Sequence, residues 1–268
     1  MARERQFGAP QRAWMRAVSD NFVECVRQGD AVPDAERARE QHQAYRDLLG
    51  RLGVAVDLLE DGGFPDSCFI EDTAVVLDGR VVVTRPGCVP RRGETESVRS
   101  AFEERSFEVA SMHEGSATLE GGDVMRAGSS LFVGCTERTN RAGISFLTDV
   151  ARADGLDVVP VEVRGGLHLK SVVTLLDPSR VVCHGDGVDL EPLRARGLEC
   201  VAVPEFAGAN VLAFGAEVIV STAAPRTGEL LGSMGYGIHT VEVGELHKAD
   251  GALTCLSLRF PLPGGWCV

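Results

Sequence analysis

Three carboxylates fall within seven residues in the segment Phe64-Pro65-Asp66-Ser67-Cys68-Phe69-Ile70-Glu71-Asp72. The segment runs directly into Thr73-Ala74-Val75-Val76-Leu77, an apolar run that predicts a buried strand. Carboxylates at the mouth of a buried strand are costly unless a cation or hydrogen-bond donors meet them. Because Phe69 and Ile70 lie between the acids, the loop is less hydrated than an ordinary acidic loop. The segment therefore predicts a cation site, and the cation could be a metal ion or an organic group.

Short β-rich runs recur along the rest of the chain, whereas helical periodicity occurs in four places. The predicted strands cover 75–77, 81–84, 131–133, 158–163, 172–176, 181–183, 200–203, 211–214, 218–221, 239–243 and 253–258. The predicted helices run from a cap at Asp34 to about Leu52, over 94–105, from a cap at Asn140 to before Gly155, and briefly after Thr227. Two or three strands per helix do not fit a doubly wound sheet. With no visible repeat or linker, the pattern predicts one α/β domain over residues 1–268, closed on itself.

The composition argues against several classes of partner. A net charge of −12, with no Lys/Arg block, disfavours nucleic acid and anionic membranes. No window approaches the apolar length of a membrane span, and residues 1–10 have no apolar run, so we expect no signal peptide. The eight cysteines are scattered without Cys-x-x-Cys spacing, which excludes the common zinc spacings and does not resemble a disulfide framework. We expect a reduced, cytoplasmic enzyme, and a homodimer is compatible with these features.

Five residues in turns carry chemically useful side chains, although each also has an ordinary structural explanation. His168 lies in a glycine-led turn at the start of a predicted strand, where side chains become exposed at a sheet edge. Cys255 follows the turn at residues 250–251 and, taken alone, is a small buried apolar residue. Glu120 precedes paired glycines that let the backbone approach another group closely. Arg85 and Arg138 each end a strand in a turn, where a guanidinium binds a carboxylate or stays on the surface.

Together these motifs resemble the dimethylarginine dimethylaminohydrolase family. The matching segments, in the family's order, are Phe-Pro-Asp-Ser-x-Phe-x-Glu-Asp at 64–72, Thr-Arg-Pro-Gly at 84–87, Arg-Arg-Gly-Glu-Thr-Glu at 91–96, Glu-Gly-Gly-Asp at 120–123, Arg-Thr-Asn at 138–140, Leu-His-Leu-Lys at 167–170 and Asp-Gly-x-x-Thr-Cys-x-Ser-Leu-Arg-Phe at 250–260. The first sixty residues fit only loosely. The resemblance implies a pentein, a five-bladed α/β propeller, which agrees with the closed array. It also implies hydrolysis of asymmetric dimethylarginine and monomethylarginine to citrulline plus dimethylamine or methylamine, with no cofactor.

The resemblance further assigns a role to each candidate residue. It makes Cys255 the nucleophile, His168 the general acid and base, and Glu120 the residue that orients the imidazole. It places Asp66, Glu71 and Asp72 around the guanidinium, Arg85 and Arg138 at the α-carboxylate, and the carbonyl of Ala249 at the α-ammonium. A second carbonyl is expected from an N-terminal lid, at a residue that the loose match there does not identify. The acidic segment then binds an organic cation and not a metal ion.

Other activities fit parts of the same pattern. Arginine deiminases share the pentein machinery but carry an aspartate where this chain has Lys170. An amidinotransferase needs an amine acceptor site that the sequence does not reveal. A methylarginine-binding module without catalysis is disfavoured because Cys255, His168 and Glu120 are all present. A Lys170 side chain that points into the pocket would disfavour arginine, which has five N–H donors, relative to dimethylarginine, which has three. If it points into solvent, the selectivity rests on the resemblance alone.

Overall fold

The computed structural model describes residues 11–112 and 115–261. The strands are β1 (Gln11–Arg16), β2 (Ala55–Leu59), β3 (Ala74–Val76), β4 (Arg80–Val83), β5 (Glu108–Ser111), β6 (Val124–Ala127), β7 (Ser130–Cys135), β8 (Asp157–Glu162), β9 (Val173–Asp177), β10 (Arg180–Cys183), β11 (Glu199–Ala202), β12 (Leu212–Phe214), β13 (Glu217–Ser221), β14 (Gly237–Val241) and β15 (Leu258–Pro261). The helices are α1 (Ala35–Arg51), α2 (Thr95–Glu104), α3 (Arg141–Arg152), α4 (Leu169–Val172), α5 (Glu191–Arg194), α6 (Pro225–Ser233) and α7 (Gly244–Lys248). Single 3₁₀ turns cover Phe22–Glu24, Ile70–Thr73, Val89–Glu94, Gly121–Asp123, Phe206–Ala209 and Thr254–Leu256.

The strands form five three-stranded sheets that repeat one unit. In each unit an antiparallel pair of strands is followed by a helix and by a third strand parallel to the second. Four units follow the chain as β3–β4–β5, β6–β7–β8, β9–β10–β11 and β12–β13–β14. The fifth joins the two ends of the described chain, because β15 pairs antiparallel with β1 and β1 pairs parallel with β2. The last strand thus completes the first sheet. The predicted α/β array closed on itself, a five-bladed propeller, is confirmed.

A short helical turn precedes the first strand of every sheet. These five turns, called the central turns below, are Ile70–Thr73, Gly121–Asp123, α4, Phe206–Ala209 and Thr254–Leu256. The first four central turns pack one against the next, and the first also packs against the fifth. Asn210 joins the fourth and fifth, since its side-chain amide donates to Thr254 Oγ1 at 2.9 Å and accepts from Thr254 N at 3.0 Å. The five units share a backbone structure but not an amino-acid sequence, which explains why no sequence repeat is visible.

The longer helices begin where the capping residues predict. Asp34 accepts a hydrogen bond from Arg37 N at 3.0 Å, and Asn140 accepts one from Gly143 N at 2.9 Å. Each side chain satisfies a backbone N–H that has no partner within its helix. α2 confirms the helix predicted over 94–105. α6 begins at Pro225, earlier than predicted, because proline lacks an N–H and is well suited to the first turn of a helix.

Two predicted strands are wrong or displaced, and four strands were missed. Residues 254–256 form a 3₁₀ turn and not the middle of a strand, while β9 starts at Val173 after a helical turn. In both places an apolar run shows that the segment is buried, but it does not distinguish a strand from a turn that packs in the core. The missed strands are β1, β2, β5 and β6. Polar or small residues interrupt each of them, and their partners in the sheets decide their conformation.

The core lies between adjacent sheets and beneath the helices. One cluster contains Trp14 of β1, Phe102 of α2 and Phe260 of β15, all buried. The ring centroids of Trp14 and Phe102 are 4.2 Å apart, and those of Trp14 and Phe260 are 5.2 Å apart with the rings edge to face. This aromatic cluster fixes the sheet that closes the ring. In the described part of the chain, no helix is both long and apolar enough to cross a membrane.

Candidate active site

The central turns bring the predicted catalytic residues to one narrow pocket. Its wall is formed by Val26, Asp66, Phe69, Asp72, Arg91, Arg138, Leu167, His168, Ala249, Asp250, Gly251 and Cys255. Glu71 and Asp72 lie on the first central turn, Glu120 precedes the second, His168 precedes the third, and Cys255 lies on the fifth. Residues far apart in sequence therefore meet because each lies on, or directly before, the central turn of its own repeat.

The His168 ring is held between two carboxylates. Its Nε2 lies 2.6 Å from Glu120 Oε2 and 3.8 Å from Asp72 Oδ1. All three side chains are buried. Gly122 makes this approach possible, because a Cβ at this position would lie 2.7 Å from both Asp72 Oδ1 and His168 Nδ1. The expectation that the paired glycines permit a close approach is confirmed, and the group that approaches is the histidine.

These carboxylates determine the charge of the imidazole. Burial alone would lower the pKa of His168, but the negative charges of Asp72, Asp123 and Glu120 raise this pKa to about 9. The pKa of Asp72 falls to about 2, because the charges of His168 and Arg91 outweigh its burial. His168 is therefore an imidazolium at neutral pH. A protonated imidazole beside a pocket can serve as a general acid.

Arg91, to which the sequence analysis gave no role, organises the floor of this site. Its guanidinium donates to Asp72 Oδ2 at 2.6 Å, to both oxygens of Glu94 at 3.0 and 2.9 Å, and to the Phe69 carbonyl at 3.0 Å. Arg91, Glu94 and Asp72 are all buried. Such a buried ion-pair network holds its members in one geometry as long as every group is satisfied. The sequence contains Arg91 and Glu94 in the Arg-Arg-Gly-Glu motif at 91–94. The motif alone does not show that the turn it forms directs Arg91 toward Asp72.

Cys255 is positioned by its own turn and by neighbouring side chains. Its backbone N donates to the Ala252 carbonyl at 3.1 Å, and Tyr45 Oη donates to the Leu253 carbonyl at 3.0 Å. Burial raises the pKa of the Cys255 thiol far above its usual range, and the charges of Glu71 and Asp72 raise it further. In the free site the sulfur is therefore a protonated thiol. It needs an added positive charge nearby to become a thiolate.

A segment near the N-terminus crosses the mouth of the pocket. Val26 N donates to both carboxylate oxygens of Asp66, at 3.2 and 3.1 Å, and Gln28 N donates to Asp250 at 2.6 Å. This is the region where the resemblance implies a lid, which the sequence could not locate. Asp66 lies in the pocket wall, and its burial raises its pKa. Asp66 therefore contacts Val26 of the N-terminal segment and also lines the pocket.

The remaining predicted residues differ in their placement. Arg138 lies in the pocket wall, with one guanidinium nitrogen 3.4 Å from Glu120 Oε1, and Ala249 lies in the wall as well. Glu71 lies behind the wall and pairs with Lys170, so Lys170 points inward and not into solvent. The Arg85 guanidinium donates to the Ala117 carbonyl at 3.2 Å, and Arg85 is not among the residues that form this wall. Its predicted contact with an α-carboxylate therefore stays a prediction.

Asp72, Glu120 and His168 also form a cluster of potential metal ligands, with ligand atoms within 4.8 Å of one another. Each carboxylate already accepts hydrogen bonds from protein donors. Asp72 binds Arg91 and Gly122 N, and Glu120 binds His168, Cys88 N and Arg138. A metal ion would have to displace these donors and would meet the positive charge of Arg91. The cluster is therefore suited to holding a charged imidazole.

A closed ring of five sheets, with a cysteine, an imidazolium and carboxylates on its central turns, defines a pentein of the guanidine-modifying type. The chain belongs to the dimethylarginine dimethylaminohydrolase family. The sequence model described as "N,N dimethylarginine dimethylhydrolase, eukaryotic" matches residues 10–186. The dimethylarginine dimethylaminohydrolase of Streptomyces coelicolor is 39% identical over 226 residues, which cover 83% of this chain and 85% of that protein.

Solved structures agree with this assignment. The Pseudomonas aeruginosa enzyme, as a cysteine-to-serine variant in complex with citrulline, superposes with a TM-score of 0.87 at 30% identity, covering 95% of this chain and 100% of that chain. A dimethylarginine dimethylaminohydrolase histidine-to-glycine variant, as an adduct with S-methyl-L-thiocitrulline, has the same TM-score and identity, covering 93% and 99%.

Proposed function

We propose that this protein hydrolyses asymmetric dimethylarginine and monomethylarginine to citrulline plus dimethylamine or methylamine. The observation that carries the proposal is the joint placement of Cys255, His168 and two buried carboxylates, Asp66 and Asp72, in the wall of one pocket. The family membership and the citrulline complex of the Pseudomonas aeruginosa relative support it. No required cofactor is part of the proposal.

The acidic end of the pocket suits a guanidinium. A guanidinium stays protonated at any working pH, so carboxylates must compensate its charge. Asp66 and Asp72 line the pocket, and Glu71 lies behind the wall with its Oε2 buried and without a hydrogen-bond partner. A buried carboxylate oxygen without a partner is costly, and a substrate N–H can remove that cost. The organic-cation interpretation of the acidic segment therefore suits this geometry better than a metal site.

The other end of the pocket suits an amino acid. Arg138 uses one of its guanidinium nitrogens toward Glu120 at the long distance of 3.4 Å, which leaves other N–H groups for a carboxylate. Arg91 is also in the wall, but most of its donors are already bound to Asp72, Glu94 and Phe69. We therefore propose that Arg138 binds the α-carboxylate, and the contact predicted for Arg85 stays a prediction. The carbonyl of Ala249 is the proposed acceptor for the α-ammonium.

The reaction then follows from the charges. Binding of the guanidinium places a positive charge near the Cys255 sulfur, which lowers the cost of forming the thiolate, and the thiol proton passes to solvent water. The thiolate attacks the guanidinium carbon and forms a C–S bond. His168 gives its proton to the departing dimethylamine nitrogen as the C–N bond breaks, and an S-alkylthiouronium remains. Water, losing a proton to neutral His168, attacks the same carbon. The C–S bond breaks, and citrulline and the free cysteine are formed.

A citrulline assay with four substrates tests the proposal. Dimethylarginine and monomethylarginine are expected to be hydrolysed, and arginine is expected to be poorer by one to a few powers of ten in kcat/KM, because each buried donor left unpaired costs about 1–3 kcal/mol. Agmatine, which lacks the α-carboxylate, reports on the amino-acid end. No citrulline from any methylated arginine would contradict the proposal, and arginine turned over as well as dimethylarginine would assign the protein to the deiminases.

Arg138→Ala is expected to raise KM for dimethylarginine about tenfold to a hundredfold, since a charge-assisted contact contributes roughly 1.5–3 kcal/mol. Agmatine should be affected less, because it has no carboxylate for Arg138 to bind. Arg126→Ala is the matched control, since Arg126 pairs with Asp78 outside the pocket wall and its loss should leave the KM ratio of the two substrates unaltered. Equal losses for dimethylarginine and agmatine in the Arg138 variant would remove this assignment.

The oligomeric state of the protein and its cellular compartment stay predictions. A homodimer and a cytoplasmic location are compatible with the composition and with the cysteine pattern. Light scattering on the purified protein tests the first, and cell fractionation tests the second.

A further inference from the structure

Lys170 forms a buried ion pair beside the nucleophile. Its Nζ donates to Glu71 Oε1, and the two side chains are 12% and 7% exposed. Lys170 directly precedes Ser171 of α4 and lies two residues after His168, whereas Glu71 directly precedes Asp72. The pair therefore connects the first and third central turns, and its members are close in sequence to Asp72 and to His168.

The same pair is tied to the turn of Cys255. Asn210 Nδ2 donates to the Lys170 carbonyl at 2.8 Å and to Thr254 Oγ1 at 2.9 Å. The first central turn, which carries Glu71, packs directly on the turn that carries Cys255. The charges of Glu71 and Lys170 both act on the Cys255 thiol, in opposite directions. The pair is thus fixed close to the reacting sulfur.

A count of acceptors shows what the pair does to the site. Both oxygens of the Asp66, Asp72 and Glu120 carboxylates accept hydrogen bonds from donors of the protein. The donors are Val26 N for Asp66, Gly122 N and Arg91 for Asp72, and His168, Cys88 N and Arg138 for Glu120. Glu71 Oε1 accepts from Lys170. Among these four acidic residues of the described chain, Glu71 Oε2 is the one oxygen without a partner. Without Lys170, Glu71 would offer two free oxygens.

We propose that Lys170 is a specificity-determining residue, because it binds one oxygen of Glu71 and so limits the acceptors for the substrate guanidinium. This inference rests on the proposed function. Arginine brings five N–H donors to the site, and asymmetric dimethylarginine brings three and two apolar methyl groups. A site with fewer free acceptors leaves more of arginine's donors unpaired on binding. The Lys170 charge also repels every cationic substrate, but that effect is similar for both and cancels in the ratio of their kcat/KM values.

The test is Lys170→Met, assayed with dimethylarginine and arginine. Methionine keeps the length of the side chain but neither the charge nor the donor, so Glu71 Oε1 becomes available. The ratio of kcat/KM for dimethylarginine over arginine is expected to fall about 10- to 100-fold, the effect of satisfying one more buried donor. Lys170→Arg keeps a cation that can bind Glu71 and should preserve the ratio. Lys170→Gln, neutral but still a donor to Glu71, should lower it less. Lys170→Leu, which has neither charge nor donor, replaces the methionine variant if that variant does not fold.

Lys248→Met is the matched control. Lys248 is the other lysine of the chain and pairs with Glu245 at 2.7 Å, three residues earlier on α7, outside the pocket wall. Its variant should keep the wild-type ratio. A wild-type enzyme that hydrolyses dimethylarginine, with an unchanged ratio in the Lys170→Met or Lys170→Leu variant, would overturn this inference and leave the proposed function intact. A wild-type protein that hydrolyses neither substrate would overturn the proposed function and this inference with it.

Discussion

Cys255→Ser is expected to abolish citrulline formation, with kcat reduced by at least about a thousandfold, while dimethylarginine still binds. A serine hydroxyl is a far weaker nucleophile than a thiolate at neutral pH, and nothing in the described site deprotonates it. Binding should persist because the acidic wall and Arg138 do not depend on the sulfur. Calorimetry with dimethylarginine measures the binding, and the citrulline assay measures turnover.

The covalent intermediate on Cys255 can be detected directly by mass spectrometry. A wild-type reaction quenched in acid and examined by intact mass should contain protein that carries the substrate without its departed dimethylamine. Peptide mapping should place this added mass on Cys255. Cys200→Ser is the control, since Cys200 lies on β11, outside the pocket wall, and its variant should keep wild-type turnover. Normal kcat in the Cys255 variant, or an adduct mapped to another cysteine, would exclude the mechanism.

The repeated unit of the fold was only partly readable from the sequence. Short runs rich in β-branched residues identified strands such as β4, β10 and β13, and the caps at Asp34 and Asn140 predicted the starts of two helices. Those signals are local, because a strand or a cap is determined by a few neighbouring residues. The pairing of β15 with β1, which closes the ring, joins distant parts of the chain. No local pattern predicts it, so closure had to come from the number of strands and from the family resemblance.

The site shows the same division between local and distant information. Motifs identified His168, Cys255 and Glu120, and the structure brings them together on turns rather than on strands. The motifs did not distinguish Arg85 from Arg91, because both arginines follow the same strand within seven positions. Only the path of the backbone after β4 shows that Arg91 turns toward Asp72 while Arg85 turns toward Ala117. The orientation of Lys170 was open for the same reason.

His168→Ala is expected to lower kcat for dimethylarginine by about a hundredfold to ten-thousandfold, the usual contribution of a positioned general acid and base. The departing dimethylamine would then leave without a proton, and the water of the second step would have no base. Exogenous imidazole should restore part of the activity if the cavity left by the ring admits it. His184→Ala is the control, because the His184 ring donates from Nδ1 to the Val203 carbonyl at 3.0 Å and does not line the pocket.

The pH dependence follows from the charges around the ring. Because nearby carboxylates raise the folded pKa of His168 to about 9, the ring stays an imidazolium at neutral pH and loses its proton as pH rises through about 9. The stability that the charged ring contributes is fully present below the unfolded value of about 6.5 and is lost as pH rises through about 9, whereas the acid-catalysed step should decline only around pH 9. Glu120→Gln removes one of the charges that raise this pKa, so the alkaline limb of kcat should move to lower pH. An alkaline limb at the same pH in wild type and in Glu120→Gln would show that another group controls this step.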